Sequence, residues 1–239
     1  AESFRFWAAA EGNLTEQDFR CSIDRISTSG KTISKLWNIA KFVSMFPEPK
    51  RKDTIKLTDT DKWIIQELNG LIETTRHDYE NYDFHNPVIK LRHFIWETFA
   101  SHYLEMVKDR VYNPEGAFTP DEQNSGLYTL HYILKTLLKL LAPVIPFVTY
   151  KLYKDIYEND IHKEIFPKMA EKYEIKFVSS ELEELNSIIW KAKKDKGLSL
   201  KDGFMEAIIH EKFADVEKDF KTMHKIKKIS YGPETKIIF

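Results

Sequence analysis

Between Lys31 and Phe46 the spacing of four residues brings an aromatic ring, two ammonium groups and an amide onto one helix face. At 100° per residue, Ile33, Leu36, Trp37, Ala40, Val43 and Ser44 fall on one side and make a core seam. Phe42 points about 180° from Ile33, with Lys31, Lys35 and Asn38 within about 40° of it. A ring framed by ammonium groups and an amide suits an unstacked base and its phosphates. Stacking on an aromatic ring is worth about 1–3 kcal/mol per base, and lysines neutralise backbone charge. The competing reading is that Phe42 packs against a neighbouring helix, as helical aromatics usually do.

Other chemistry is thin. The eight glycines are scattered and form no phosphate-cradling loop. No His-x-x-x-His pair occurs, and Cys21 is the single cysteine, so neither a metal site nor an internal disulfide is expected. His77, His85, His93 and His102 are near in sequence but lack partner thiols or carboxylates at ligand spacing, and no catalytic group is assigned. Glu73, Asp78 and Glu80 read as helix-surface carboxylates. A second basic stretch runs from Trp190 to Lys196. It reads either as lysines favoured at a helix C-terminus or as a contact for a polyanion.

The chain has 239 residues, 42% hydrophobic, 31% charged and 13% aromatic, which fits a globular protein with a substantial core. Its net charge is −1, so bulk charge does not advertise a polyanion partner. Locally, Lys31 to Lys56 carries seven basic residues against two acidic ones. Lone-cysteine usage predicts a reducing, cytoplasmic setting. The most apolar run, Leu137 to Val148, is broken by Lys139, Pro143 and Pro146, so no membrane span is expected. The opening residues read like the middle of a helix, and the sequence is expected to be a piece of something longer.

These candidate residues need elements to hold them. Helical periodicity predicts Ser3 to Ala10, Lys31 to Phe46 ended by Pro47, Thr60 to Tyr79, and Pro87 to Val111 with Ile95, Trp96, Phe99, Tyr103, Met106 and Val107 inward. A last helix from Ser125 to Tyr157 should kink or split at Pro143 and Pro146. Long amphipathic helices with short turns predict an antiparallel bundle over residues 1–165. Residues 166–239 read as a small β-α-β-α-β module, with a strand at Ile175 to Val178, a helix opened by the capping box at Ser180 and Glu183 and ended by Gly197, and strands at Phe204 to His210, Lys228 to Tyr231 and Lys236 to Phe239.

Five short motifs in order then give the chain a resemblance. Arg5-Phe6-Trp7 resembles the stretch after the Lys-Met-Ser-Lys-Ser loop in valyl-tRNA synthetases. Leu36-Trp37-Asn38 is similar to the helix opening the anticodon-binding bundle of the valine, isoleucine and leucine enzymes. Asp61-Lys62-Trp63 with Leu68-Asn69, then Tyr82 to Phe84, Phe94 to Trp96 and Tyr103 to Glu105, then Leu138 to Phe147 resemble the following blocks. The pattern departs from the family at Ala142, where a His is common, and at Tyr150-Lys151, where a Glu pair is common. The end of the chain looks more archaeal than bacterial. The resemblance implies a class Ia anticodon-binding bundle whose partner is the tRNA anticodon stem-loop. Phe42 would stack, Asn38 would read a base edge, and Lys31, Lys35 and Lys41 would hold phosphates. Leu104 and Lys108, more than about 120° off the buried side of their helix, would form a second wall. Trp37 and Trp96 stay in the core. Residues 1–12 would be the stub of a connection to a catalytic domain. The whole enzyme would join valine to its tRNA with ATP and Mg, whereas this part would hold no cofactor and no catalytic site, bind no DNA or membrane, and act as a monomer. The rivals are the same domain from an isoleucine enzyme, and a helical scaffold using Phe42 and Leu104 as apolar anchors for a partner helix.

Overall fold

Apolar residues at helical spacing dominate the chain, and the computed structural model folds accordingly. It describes residues 1–13, 20–49 and 55–239. The chain is mainly α-helical, with one small sheet near its end. It divides into two compact units, residues 1–50, 65–97 and 127–172, and residues 51–64, 98–126 and 173–239.

The first unit is built from α1 (Glu2–Glu11), α2 (Ile23–Val43), the later turns of α3 (Asp59–Glu80), α4 (His85–His93), the later turns of α6 (Pro120–Leu141), and α7 (Pro146–Tyr157). α1 buries Phe6, Trp7 and Ala10. The break between α6 and α7 falls at Pro143 and Pro146, as expected, and α1 repairs its exposed backbone. Arg5 Nε donates to the Val144 carbonyl at 2.7 Å, and Glu2 accepts from the Val148 amide in the first turn of α7 at 3.1 Å. α2 begins eight residues before the predicted start, capped by Ser22, whose Oγ accepts from the Arg25 amide. Its first turns, rich in Ser and Thr, have weak intrinsic propensity; packing against α1 forms them instead. The approach is close at Gly30, where a Cβ would lie 3.0 Å from Ser3 Oγ and that side chain would have to give way. In α3, the Asn69 amide clips the backbone of Ala170 and Glu171, and Arg76 donates to the Pro167 carbonyl at 2.7 Å.

The second unit holds the start of α3, part of a π-helical stretch (Phe94–Tyr103), α5 (Leu104–Tyr112), the start of α6, α8 (Ser179–Asp195), β1 (Phe204–Ile209), α9 (Glu217–His224), β2 (Ile226–Tyr231) and β3 (Lys236–Ile238). The strand order is β2-β1-β3. β2 runs parallel to β1 with Phe204 opposite Ile226, and β3 is antiparallel with Ile237 opposite Ala207. α9 is the crossover between the parallel pair. No strand forms at Ile175 to Val178. Phe177 there is buried against the Trp63 and Phe213 rings, at 6.0 and 5.3 Å, so its apolar character serves side-chain packing and not a ladder.

The polar centre of this unit is a buried ion pair. Arg110 grips Asp61 with two hydrogen bonds, Nη2 to Oδ1 at 2.7 Å and Nη1 to Oδ2 at 2.8 Å. Tyr103 donates to the same carboxylate at 2.6 Å, and Ser125 and Thr58 donate as well. Burial pushes the Asp61 carboxyl up, but the Arg110 charge and these donors outweigh it and hold it below its usual range. Asp219 on α9 also reaches Arg110, 3.0 Å from Nε, but out of line for a hydrogen bond. Burial wins there and lifts Asp219 to about 6, against the pull of Arg110.

Two outcomes test this account. Arg110→Met should destabilise the chain by about 3–5 kcal/mol, because it strands Asp61 without its cation. Urea melts check it, and a loss under 1 kcal/mol would sink the central role of the pair. Asp219 holds its proton more tightly folded than unfolded. Its contribution is therefore complete below its ordinary value of 3.8 and vanishes as pH rises through about 6. Melts of wild type and Asp219→Asn across that window should converge at the acid end. Parallel pH curves would refute the shift.

Candidate nucleic-acid interface

α2 carries the candidate face. Its buried stripe is Thr32, Leu36, Ile39, Ala40 and Val43. This is rotated from the predicted seam, and the rotation corrects one assignment. Trp37 is 42% exposed, not a core residue. Position 37 lies about 160° from Ile39 around the helix, and the Thr32 position that it displaced from the seam is buried instead. Trp96 is half-buried: its Nε1 donates to Thr32 Oγ1 at 3.1 Å, and the rest of the ring lies under Lys35 Nζ, 5.1 Å from the centroid. The buried threonine is thus the acceptor for an indole.

Lys31, Asn38 and Lys41 are exposed, and Lys35 is half-exposed. No ion pair engages Lys31, Lys35 or Lys41 among the described residues, so their charges remain available to an anion. Lys31 lines a cleft of about 680 Å³ with Arg25, Arg92 and Trp96. Phe42 is half-buried, its ring edge-on to Phe46 at 5.4 Å. The ring thus packs on its own helix end, as the competing reading of Phe42 expects, while keeping some exposure. Lysines 50 and 52 and Arg51, counted in the basic stretch, lie outside the described residues.

The far end of α2 is fixed by polar contacts. His131 Nε2 lies 3.0 Å from the Phe46 carbonyl, which can only accept, so this nitrogen carries the proton. Its Nδ1 then accepts from the Tyr157 hydroxyl at 3.1 Å. Lys135 bridges to Glu48 at 2.7 Å and lies over the Tyr157 ring. These bonds hold Phe46, against which the Phe42 ring packs. Sequence reasoning missed His131; its signal was a lone imidazole on the apolar side of α6.

Leu104 and Lys108 belong to the second unit. Leu104 is buried, at 7% exposure, which corrects the outward orientation expected of it. The cause is the π-helical stretch immediately before it, which winds fewer degrees per residue than an α-helix and resets the phase of α5. Lys108 is half-exposed and paired with Glu105. The scaffold reading loses one of its two apolar anchors with Leu104.

Residues 61–209 match the family model for the anticodon-binding domain of tRNA ligases. This chain belongs to that family. Several motif residues of the family turn out to be braces: Asp61 holds Arg110, Trp63 Nε1 donates to Ser179 Oγ at 2.8 Å, and Asn69 clips a loop. The chain is also similar to valine–tRNA ligases. Identity is 36% over 236 residues with that of Pyrobaculum aerophilum, covering 97% of this chain and 29% of the relative. With that of Aeropyrum pernix it is 31%, covering 94% and 28%, and with that of Rickettsia rickettsii 33%, covering 84% and 26%. The chain thus spans less than a third of the length of these relatives. No helix among the described residues is long and apolar enough to cross a membrane.

The rotation of α2 gives a direct test. Trp37→Gln should change stability by no more than about 0.5 kcal/mol, as exposed sites do. Trp63→Ala, by contrast, should cost about 3–5 kcal/mol. Comparable losses in thermal unfolding would return Trp37 to the core.

Proposed function

We propose that this chain is the part of a valine–tRNA ligase that recognises the tRNA anticodon. The observation that carries the proposal is the α2 face, where Lys31, Lys35 and Lys41, engaged by no ion pair among the described residues, share one helix with Asn38 and the half-buried Phe42 ring. Membership of the anticodon-binding family gives that chemistry its partner, and the similarity to valine–tRNA ligases selects the amino acid. The geometry suits a splayed loop: a ring stacks on a base, Asn38 offers an amide to a base edge, and lysines hold the phosphates on either side. Leu104 is buried and offers no surface to RNA, and Lys108 is a secondary candidate in the second unit. The whole enzyme attaches valine to tRNA at the expense of ATP with Mg, in the cytoplasm and as a monomer. This part supplies recognition and carries neither cofactor nor reaction centre.

Binding of an RNA stem-loop bearing a valine anticodon tests the reading. Phe42→Ala should weaken it by at least about 1 kcal/mol, the lower end for one stacked base. Lys35→Gln and Lys41→Gln should each lower the salt slope of log K by up to about 0.7. A stem-loop with an isoleucine anticodon should compete poorly. Binding indifferent to anticodon, Phe42 and salt would overturn the proposal.

A further inference from the structure

Within the second unit, one end of the small α/β module carries lysines that no ion pair among the described residues neutralises. The gathering is fixed by a buried ammonium. Lys193, the last inward residue of α8, donates to the Leu200 carbonyl and to the His224 carbonyl, both at 3.0 Å. It thereby draws the α8 C-terminus, the 198–203 loop and the α9 C-terminus together. The start of β1 closes the same end, since a Cβ at Gly203 would lie 2.5 Å from the Lys225 carbonyl. Lys196 lies 6.0 Å from the Phe239 ring, which itself meets Phe204 at 5.7 Å. Around this junction Lys191, Lys194, Lys196, Lys201, Lys225 and Lys227 are all exposed. The acidic residues beside them are Asp195 and Asp202, and Asp202 is occupied by the Ser199 amide.

Two observations separate this cluster from an ordinary solvated lysine face. First, several other lysines of the unit are paired with carboxylates: Lys176 with Asp215, Lys212 with Glu181, Lys218 with Glu122 and Lys228 with Glu206. No such partner engages the six at the junction among the described residues. Second, helix capping does not use them. The last carbonyls of α8 accept from the backbone amides of Lys196, Gly197 and Leu198, and the last of α9 from Lys193 and the Lys225 amide. Self-repelling charges held at one place without a structural task mark a surface for a polyanion.

We infer that this lysine-rich end is a second RNA contact, which holds phosphates of the tRNA outside the anticodon loop. The inference rests on tRNA being the partner proposed above. It requires no base recognition: ammonium groups on flexible stems neutralise backbone charge and release counterions whatever the sequence. The contact therefore adds affinity and salt dependence, while α2 supplies selectivity.

The test uses the 239-residue chain and two labelled RNAs, a whole tRNA with a valine anticodon and its isolated anticodon stem-loop. The variant Lys191→Gln/Lys194→Gln/Lys201→Gln changes exposed side chains only, and circular dichroism checks its fold. The expected result at about 0.1 M salt is a loss of tRNA affinity of about tenfold and a salt slope lower by about 2–3, from up to about 0.9 per phosphate, with stem-loop binding unchanged. Unchanged tRNA binding overturns the second contact and leaves the anticodon reading intact. Equal losses with both RNAs also overturn it, because the lysines then act at the anticodon. A wild-type chain that binds neither RNA removes the anticodon reading and this one together.

Discussion

The bidentate grip of Arg110 on Asp61 governs the second unit. Both side chains are fully buried, and between them they collect donors or acceptors from the start of α3, the end of the π-helical stretch, α5, the start of α6 and α9. A buried ion pair is weak evidence of stability in itself, because an apolar replacement of equal volume often does as well. Its strength here is geometric. The planar fork of Arg110 accepts one carboxylate in line, so Asp219 must settle for a charge contact and is left half-committed to its proton. Specific arrangement of these helix ends follows from how few ways five donors and two carboxylates can be satisfied together.

A second polar chain works by the same logic. His224 donates to Asn186, which donates to His102, and burial next to the Lys193 ammonium pushes His224 down to about 3. A neutral imidazole is what lets these groups share a dry site with a cation. The contrast with the exposed lysines of α2 and of the module's end is instructive. Where the protein buries a cation it gives it fixed partners, Asp61 for Arg110 and two backbone carbonyls for Lys193. Where it leaves charge unmatched, the charge sits in solvent and on short segments that packing has already fixed.

How much of this was legible depended on which force set each feature. Proline set the α6–α7 break, and proline is written in the sequence. The apolar stripes of α3 and α6 were clear because they repeat over many turns. The phase of α2 was misread by roughly half a seam because Thr32 looks polar, yet it is buried as the acceptor for Trp96. α5 was misread because local winding changes at Phe94–Tyr103, and nothing in residue type announces a π-helix. Ile175 to Val178 had strand composition but no partner edge. Arg110 and Lys193 could have been found. Each is a lone cation in phase with an apolar stripe, Arg110 with Met106 and Val107, Lys193 with Leu182, Leu185 and Ile189, and such a cation must have a buried partner.

The first helix has a meaning for anyone dissecting this chain. The proline break between α6 and α7 frees a carbonyl at Val144 and an amide at Val148, and only Arg5 and Glu2 answer them among the hydrogen bonds described. α1 therefore completes the far end of the bundle, more than a hundred residues later. A cut placed after Glu11 would look harmless in a linear diagram. It would remove the satisfied partner of a turn whose own sequence is intact, and the damage would surface at residues 143–148.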